Sequence, residues 1–383
     1  MQMNYAQNPK GPANGGWVLE RNIENAHQHQ IYDITSVENL LFSTSYKNLK
    51  VWDLNEMKQI SDIKAHQGAI KCVKASMGSG GEGEVDGAAD SLFVTAGDKS
   101  DKSLHLWDMT SLTCLATLRG HKGEIRAVEF SKNGKHIFSA GMGGMLVWDL
   151  RNTDTPLELV EKHMDIFSLK TTDNMLFMGC RNHSIIPMGL HPGQPFHQQV
   201  MQPIKSPHLD IVTSLGTLFQ DRVLISASLD HNIRAWSIPD SLAEGLPQLK
   251  NLTIDKAHNS QINVVAAGHD GLELYSGSKD GVVNIWSLQN QLQLPDDPGA
   301  ENIDEQELMQ GLSLVRTGQL QAHGGSVTAI AAIEPESTGH GKMLIYGGSD
   351  KTLRIFKDSD DPDKAQHATP DRRDQPNEED VVS

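Results

Sequence analysis

The chain has 383 residues and a formal net charge of -16 at pH 7. The excess acids lie in segments 77–90, 288–315 and 358–383, and the rest of the chain is balanced, so no basic surface remains for non-specific binding of nucleic acid. No stretch approaches the roughly 18 apolar residues of a membrane span, and the first residues lack the apolar core of a signal peptide. We therefore expect no membrane insertion.

The cysteines predict the compartment. Cys72, Cys114 and Cys180 are odd in number and never form a Cys-x-x-Cys pair. This usage predicts free thiols in a reducing environment. We expect a cytoplasmic location, with the nucleus as the open alternative.

Histidines divide the chain into seven units of similar pattern. Residues 1–15 are expected to form a flexible arm, and Gly16–Ile23 has the pattern of a strand that precedes the first unit. In chain order, the residues that open units 1 to 7 are His27, His66, His121, His163, His208, His258 and His323. The residues that close them are Trp52, Trp107, Trp148, Met188, Trp236, Trp286 and Phe356.

Unit 6 shows the internal pattern most clearly. Three apolar runs, Gln261–Ala267, Leu272–Ser276 and Val282–Ser287, are separated by turns rich in glycine and aspartate, which predicts an antiparallel meander. A further short run, such as Leu115–Leu118, lies between one unit and the next and predicts a fourth strand. Four strands in each of seven units predict an all-β, seven-bladed propeller over residues 16–357.

The seventh unit lacks a fourth strand of its own. The segment 358–383 has too few apolar residues to form one and is expected to be an acidic disordered tail. We predict that Gly16–Ile23 lies beside Thr352–Phe356, so that the N-terminal strand closes the last blade.

The repeated Ala-His or Gly-His pair, the Ser-x-Ser element and the closing Trp-Asp or Trp-Ser resemble the WD40 repeat family. Pieces such as SPHLDIVTSLG and AHNSQINVVAA are also similar to two propellers. One ends the RING-type ubiquitin ligase of the TNF-receptor-associated-factor group, and the other forms the tail of kinesin-4 motors. The present chain contains no RING cysteines, coiled coil or motor P-loop.

In three units a histidine, a hydroxyl residue and an aspartate match the elements of a nucleophilic triad. Their repetition argues against an active site, because an enzyme needs one such site. The resemblance implies instead a structural network in which the aspartate pairs with the histidine, the histidine reaches the hydroxyl and the tryptophan covers them. The residues are His258, Ser276, Asp280 and Trp286; His208, Ser226, Asp230 and Trp236; and His66, Thr95, Asp101 and Trp107. We predict no catalytic residue, no cofactor and no metal site.

Other units depart from this pattern. Units 1 and 3 lack the aspartate, and unit 7 has Tyr346 and Phe356 in place of the serine and tryptophan. Unit 4 has Asn182 at the aspartate position and Pro187 inside its third strand, where proline removes a ladder donor. We expect unit 4 to be the least stable blade, or a distorted one, with adaptation to a ligand as the alternative.

The long acidic insertions fall between first and second or between third and fourth strands, and the resemblance implies that these connections share one face of the ring. The opposite face would carry only short turns, and we predict that proteins or short peptides dock there. Aromatic, methionine and arginine side chains are favoured anchors, which selects Tyr46, Met142 and Arg181, with His231 in the next turn. Ordinary turn surface is the alternative for each. The stretch Asn302–Leu314 follows a helical stripe only loosely and is expected to be a mobile loop.

These patterns predict a non-enzymatic scaffold or adaptor that mediates protein–protein interactions in a cytoplasmic complex. The alternative is a substrate- or cargo-recognition propeller linked to ubiquitin ligation or to microtubule and kinesin-based transport. The sequence indicates no oligomeric state.

Overall fold

The computed structural model describes residues 16–76, 91–191, 193–204, 207–238, 248–268, 270–290, 311–321, 324–333 and 342–358. The expected arm 1–15, His323, most of the acidic insertions and residues 359–383 lie outside this range. β-Strands dominate the regular structure. Two single-turn 3₁₀ helices are η1 (Phe196–Gln199) and η2 (Lys250–Leu252).

The first two units share one long strand. β5 pairs through its first half with unit 1 and through its second half with unit 2, as in the pairs Asn48 with Lys64 and Ile70 with Gly97. The sheet order follows the chain order. Its strands are β2 (Asp33–Val37), β3 (Leu40–Thr44), β4 (Tyr46–Asp53), β5 (Lys58–Ser76), β6 (Leu92–Gly97), β7 (Ser103–Asp108) and β8 (Cys114–Arg119).

Units 3 and 6 form four-stranded antiparallel sheets. The strands of unit 3 are β9 (Ile125–Phe130), β10 (His136–Gly141), β11 (Gly144–Asp149) and β12 (Glu158–Val160). Those of unit 6 are β19 (Ile262–Ala267), β20 (Glu273–Ser278), β21 (Val282–Asn290) and β22 (Leu312–Gln321). Residues 312–314 are therefore strand and not loop, because Leu312 and Leu314 pair with the end of β21 and Leu312 is buried.

Units 4 and 5 form three-stranded sheets whose fourth position is reduced to isolated bridges. In unit 4 Pro187 accepts a hydrogen bond from the Met201 N–H at its carbonyl, and the N–H that proline lacks would lie on the same strand edge. Unit 5 shares the reduced fourth position, so the lower stability or distortion expected of unit 4 in particular stays a prediction. The strands are β13 (Ile166–Thr171), β14 (Met175–Cys180), β15 (Ile185–Gly189), β16 (Val212–Leu218), β17 (Val223–Ser228) and β18 (Ile233–Ser237).

The N-terminal strand completes the sheet of unit 7. β1 (Trp17–Ile23) pairs antiparallel with β25 (Leu353–Asp358), which continues to β24 (Met343–Gly348) and β23 (Val327–Ile333). Trp17 is opposite Asp358 and Ile23 is opposite Leu353. The buried Trp17 ring also contacts Tyr275 of unit 6 edge-on, with 6.0 Å between ring centroids. The closing strand therefore holds two neighbouring units.

The innermost strands contact one another in a ring. β2, the second half of β5, β9, β13, β16, β19 and β23 touch in that order, and β23 touches β2 again. A cluster of buried apolar side chains lies at each interface between successive units, for example Phe42 of unit 1 with Phe93 of unit 2. The predicted all-β propeller class is confirmed.

Candidate functional site

The inner strands carry a repeated irregularity that builds the centre of the ring. In units 2 to 7 the pairing of the first strand with the second skips one residue at the same place, which is a β-bulge. The bulge residue is turned from the ladder toward the axis. These residues, with the equivalent Tyr32 of unit 1, line a central cavity of about 350 Å³; they are Lys71, Arg126, Phe167, Thr213, Asn263 and Thr328.

The two halves of this cavity wall differ. On the side of units 5 to 7 the bulge residues are small and neutral, and their side chains bond to the backbone of the next unit. Thr213 Oγ1 donates to the Ile262 carbonyl at 2.8 Å, and Thr328 Oγ1 donates to the Ile31 carbonyl at 2.6 Å. These polar groups join units together, so this half of the wall presents few free donors.

The other half of the wall is charged and aromatic. Glu124 bridges two cations, with 3.3 Å from its Oε1 to Lys71 Nζ and 3.1 Å from its Oε2 to Arg126 Nη2. Each cation lies over an aromatic ring, Lys71 over Tyr32 at 4.2 Å and Arg126 over Phe167 at 4.1 Å. We call these five residues the cation–aromatic row.

One donor of the row is unused. Arg126 Nη1 is buried and has no hydrogen-bond partner among the described residues, although Nε and Nη2 both bond to Glu124. A guanidinium offers five N–H donors, and a buried donor without a partner costs free energy. The row is therefore fixed in position but not saturated.

Further charged residues line the same cavity. Burial raises the pKa of Asp33 to about 6, although Lys74 and hydrogen bonds from two backbone amides oppose that shift. Glu129, 3.8 Å from Lys74, raises the pKa of that lysine, and burial lowers the pKa of Lys170. The cavity thus holds both signs of charge along its length.

Three of the four predicted anchors flank the cation–aromatic row. Tyr46 is 44% exposed and shares a surface groove with Tyr32. Met142 is 42% exposed, and its N–H donates to the Glu124 carbonyl at 3.0 Å. Arg181 is exposed, 3.5 Å from Asp165, two residues before Phe167. The fourth, His231, lies in the turn of unit 5, away from the row.

Sequence reasoning missed the row itself, although a signal for it exists. Tyr32, Lys71 and Arg126 each stand five residues after the opening histidine of their unit, and Phe167 stands four residues after its own. Read across units, that position shows bulky side chains in units 1 to 4 and small ones afterwards. The exposed Leu209, next to His208, was also missed.

The predicted networks assemble fully in units 2 and 5. His208 Nδ1 lies 2.9 Å from Asp230, its Nε2 lies 2.8 Å from Ser226 Oγ, and Trp236 Nε1 donates to the same hydroxyl at 3.0 Å. In unit 2 the distances are 2.7 Å from His66 to Asp101, 2.9 Å from His66 to Thr95, and 2.9 Å from Trp107 to Thr95. Burial would raise the pKa of Asp230, but the hydrogen bond from His208 and two backbone amides lower it overall.

Unit 6 assembles only part of its network. His258 Nε2 lies 2.7 Å from Ser276 Oγ, and Trp286 Nε1 donates to that oxygen at 2.9 Å. Asp280 accepts instead from Ser278 Oγ and from the Val282 N–H, and the described contacts include none between Asp280 and His258. The buried Asn284 amide lies against the His258 ring and donates to the Ala257 carbonyl at 2.8 Å. The implied aspartate–histidine pair is therefore absent here.

The remaining units show reduced or replaced networks. His27 and His121 each lie 2.7 Å from a serine that also accepts from the closing tryptophan. In unit 4 the buried Met178 and Met188 occupy the serine and tryptophan positions, and His163 is exposed. In unit 7 Tyr346 and Phe356 stack with 5.3 Å between centroids.

The geometry of unit 5 resembles a triad but does not support nucleophilic attack. Ser226 is fully buried, and its oxygen already accepts the Trp236 N–H. A substrate carbonyl has no path to it, and a nucleophile must reach its substrate.

Two histidines and an aspartate of unit 2 lie close enough together to resemble a metal site. Among the described residues, ligand atoms of His66, Asp101 and His105 lie within 4.8 Å of one another. The two imidazoles stack at 4.0 Å with 11° between their planes, so their in-plane lone pairs do not converge on one ion. Both nitrogens of His66 are already hydrogen-bonded.

In the part of the chain that the structure describes, no helix has the length and apolar character to cross a membrane.

Comparison with known proteins places the repeats in a family context. The model of the WD domain, G-beta repeat, matches residues 112–149, 249–287 and 313–357. The chain is 22% identical over 363 residues to the ribosome biogenesis protein WDR12 homolog of Chlamydomonas reinhardtii, which covers 84% of this chain and 72% of that protein.

Two further relatives are longer than the matched region. Kinesin-like protein KIF21A of Homo sapiens is 20% identical over 351 residues, 88% of this chain and 19% of the relative. Nuclear distribution protein PAC1 of Arthroderma benhamiae is 32% identical over 247 residues, 64% of this chain and 45% of the relative. The chain thus spans less than half of either. The predicted likeness to a RING-type ligase stays a prediction. Three segments of the chain thus match the WD40 repeat model, and they lie within the all-β propeller.

Proposed function

We propose that this protein is a non-enzymatic scaffold that binds proteins or peptide segments at the centre of the face formed by the turns between second and third strands. The observation that carries the proposal is the position of Tyr46, Met142 and Arg181 around a charged and aromatic cavity mouth. Exposed aromatic, methionine and arginine side chains beside a concave site are the features of a protein-binding surface.

The buried networks support a non-enzymatic role. Each hydroxyl that could act as a nucleophile in units 2, 5 and 6 is buried beneath a tryptophan and bonded to it. The complete networks of units 2 and 5 rigidify their blades, because fully paired buried polar networks fix one conformation. We assign His66, Thr95, Asp101 and their counterparts in unit 5 to this structural role, together with His258, Ser276 and Trp286 of unit 6, with no metal or cofactor.

We propose one propeller domain over residues 16–357, with 1–15 and 358–383 as appendages. A cytoplasmic location follows from the unpaired use of cysteine, with the nucleus open, and the low basic content argues against nucleic acid as the partner. The kinesin-like relative gives the transport alternative a match, but it covers 19% of that protein. Neither transport nor ubiquitin ligation is part of the proposal.

The test is affinity purification of the full chain from cells followed by mass spectrometry. Tyr46→Ala with Met142→Ala removes two half-exposed anchors from the proposed face. A matched control, Leu115→Ser with Leu159→Ser, removes apolar side chains that are 55% and 40% exposed on outer edge strands. We expect the first pair to lose partners that the second retains. Retention of all partners by the first pair, or equal loss in both, contradicts the assignment of the face.

A further inference from the structure

We infer that the cation–aromatic row is a receptor for an acidic side chain of a partner protein, and that Glu124 holds the place which the partner's carboxylate takes. This inference rests on the proposed function, because it assigns the chemistry of the same docking face. The residues are Tyr32, Lys71, Glu124, Arg126 and Phe167.

The charges of the row favour an anion. Lys71 and Arg126 share one carboxylate, so the row carries a net charge of about +1 when all three groups are ionised. The side chains of the three residues are partly exposed, and a ligand entering the cavity mouth reaches them. A cation of the protein already covers one ring face of Tyr32 and one of Phe167, which leaves a cationic ligand less aromatic surface to bind.

The unpaired donor gives the row a direction. Arg126 uses Nε and Nη2 for Glu124 and leaves the buried Nη1 without a partner among the described residues. A second carboxylate would complete the guanidinium, as in bidentate arginine–carboxylate pairs, once a small rotation of the Arg126 side chain turns the buried Nη1 toward the cavity. Arginine serves such planar recognition better than lysine does.

The row is also preorganised. Stacking on Phe167 and Tyr32 holds both cations in place before a ligand arrives, so less side-chain entropy is lost on binding. The neutral Thr213 and Thr328 on the opposite wall are occupied by backbone bonds and leave the acidic side chain one cationic wall to bind. The cavity of about 350 Å³ admits a side chain rather than a folded element.

Glu124 is then an internal competitor. Its carboxylate already neutralises both cations, so a partner carboxylate must share or displace it. Removing the Glu124 charge should therefore tighten binding of acidic peptides, whereas removing the Arg126 charge should weaken it. Opposite effects from two touching residues are not expected of a purely structural ion pair.

The test uses libraries of dodecapeptides that are degenerate except for a central residue fixed as glutamate, glutamine, phosphoserine or lysine. We expect the full chain to bind the glutamate library about tenfold more tightly than the glutamine library, a difference of one charge-assisted hydrogen bond. Arg126→Gln should abolish this preference, and Glu124→Gln should increase it about tenfold. Lys71→Gln should weaken it and serves as a second variant if Arg126→Gln fails to fold.

Matched controls come from another arginine–carboxylate pair. Arg151 Nη2 lies 2.8 Å from Asp149 on the outer part of unit 3, and Arg151→Gln and Asp149→Asn should leave the preference unchanged. Equal binding of glutamate and glutamine libraries, or no binding of any library, overturns the inference. Retention of the phosphoserine library alone overturns the carboxylate assignment. If peptides bind without a glutamate preference but still require Tyr46 and Met142, the acidic receptor fails and the docking face stands.

Discussion

Units 4 and 5 are neighbours in the ring, and they fill the same position with opposite chemistry. Unit 5 packs a hydrogen-bonded chain of His208, Ser226 and Trp236 beneath its turn. Unit 4 places Met178 and Met188 there, and both are fully buried. At this position unit 5 satisfies its polar groups with one another, and unit 4 omits polar groups altogether. The comparison supports the proposed structural role of the network, because unit 4 forms its sheet without one.

Replacing the histidine should produce the largest difference in unfolding free energy between the two units. His208→Leu leaves the buried Asp230 with two backbone N–H donors but without its imidazole partner, and removing one member of a buried charged pair costs about 3–5 kcal/mol. His163→Leu, at the exposed equivalent in unit 4, should change the free energy of unfolding by less than about 0.5 kcal/mol. Urea unfolding of both variants measures the difference. Similar losses in the two units would show that the network does not distinguish them.

A smaller break removes only the shared hydroxyl. Ser226→Ala leaves His208 Nε2 and Trp236 Nε1 without their common partner and should cost about 2–3 kcal/mol. Met178→Leu in unit 4 is nearly volume-conserving and should cost less than about 1.5 kcal/mol. Chemical denaturation again reports both values, and the idea is lost if the methionine change proves the more costly.

Lowering the pH should destabilise the units that contain a buried histidine and should not affect unit 4 through its exposed one. Burial lowers the pKa values of His27, His121 and His258 from 6.5 to about 4. Because the folded state keeps these rings neutral, their contribution to stability is complete above pH 6.5, falls as the pH drops from about 6.5 to about 4, and changes no further below that. His121→Gln should flatten the fall by at most about 1.4 kcal/mol per pH unit.

The control for the pH experiment is His163→Gln, which changes the exposed histidine of unit 4. It should leave the slope between pH 6.5 and 4 as in the unaltered chain. Urea midpoints measured across this range provide the slopes. An unchanged slope in His121→Gln would refute the role of the buried neutral ring.

The smallest expected effect comes from a turn conformation that units 4 and 5 share. His183 and His231 both occupy left-handed turn positions, with φ of 68° and 71°. Glycine adopts this conformation without the steric cost that other residues bear, although it loses more entropy on folding. His183→Gly and His231→Gly should each stabilise the protein by about 0.5 kcal/mol, as seen by thermal unfolding. Unequal shifts would mean that one histidine side chain makes a stabilising contact.

The architecture was accessible from the sequence because each unit repeats its own boundary markers. The opening histidines, the closing tryptophans and the unpaired strand near Trp17 together predicted the propeller class and the β1–β25 pairing. Partner choice inside a unit was not accessible in the same way. Asp280 stands at the same position of its unit as Asp230. In unit 6, however, the amide of Asn284 and not Asp280 lies against the His258 ring.

The candidate site was predicted only at its rim. Tyr46, Met142 and Arg181 stand in turns, where exposure can be inferred from residue type and position. Lys71 and Arg126 lie inside apolar strands, and their direction is set by a bulge that skips one residue in the ladder. A one-residue shift turns a side chain from the sheet toward the axis, and strand periodicity alone does not reveal it.

The pairing of β1 with β25 delays the folding of β1 during synthesis of the chain. β1 is made before the rest of the ring, yet its partner strand follows about 340 residues later. At typical elongation rates, roughly 20 to 70 s separate the two events. Throughout that interval the indole of Trp17 has no sheet to enter, so this apolar side chain is open to chaperones until translation reaches Asp358.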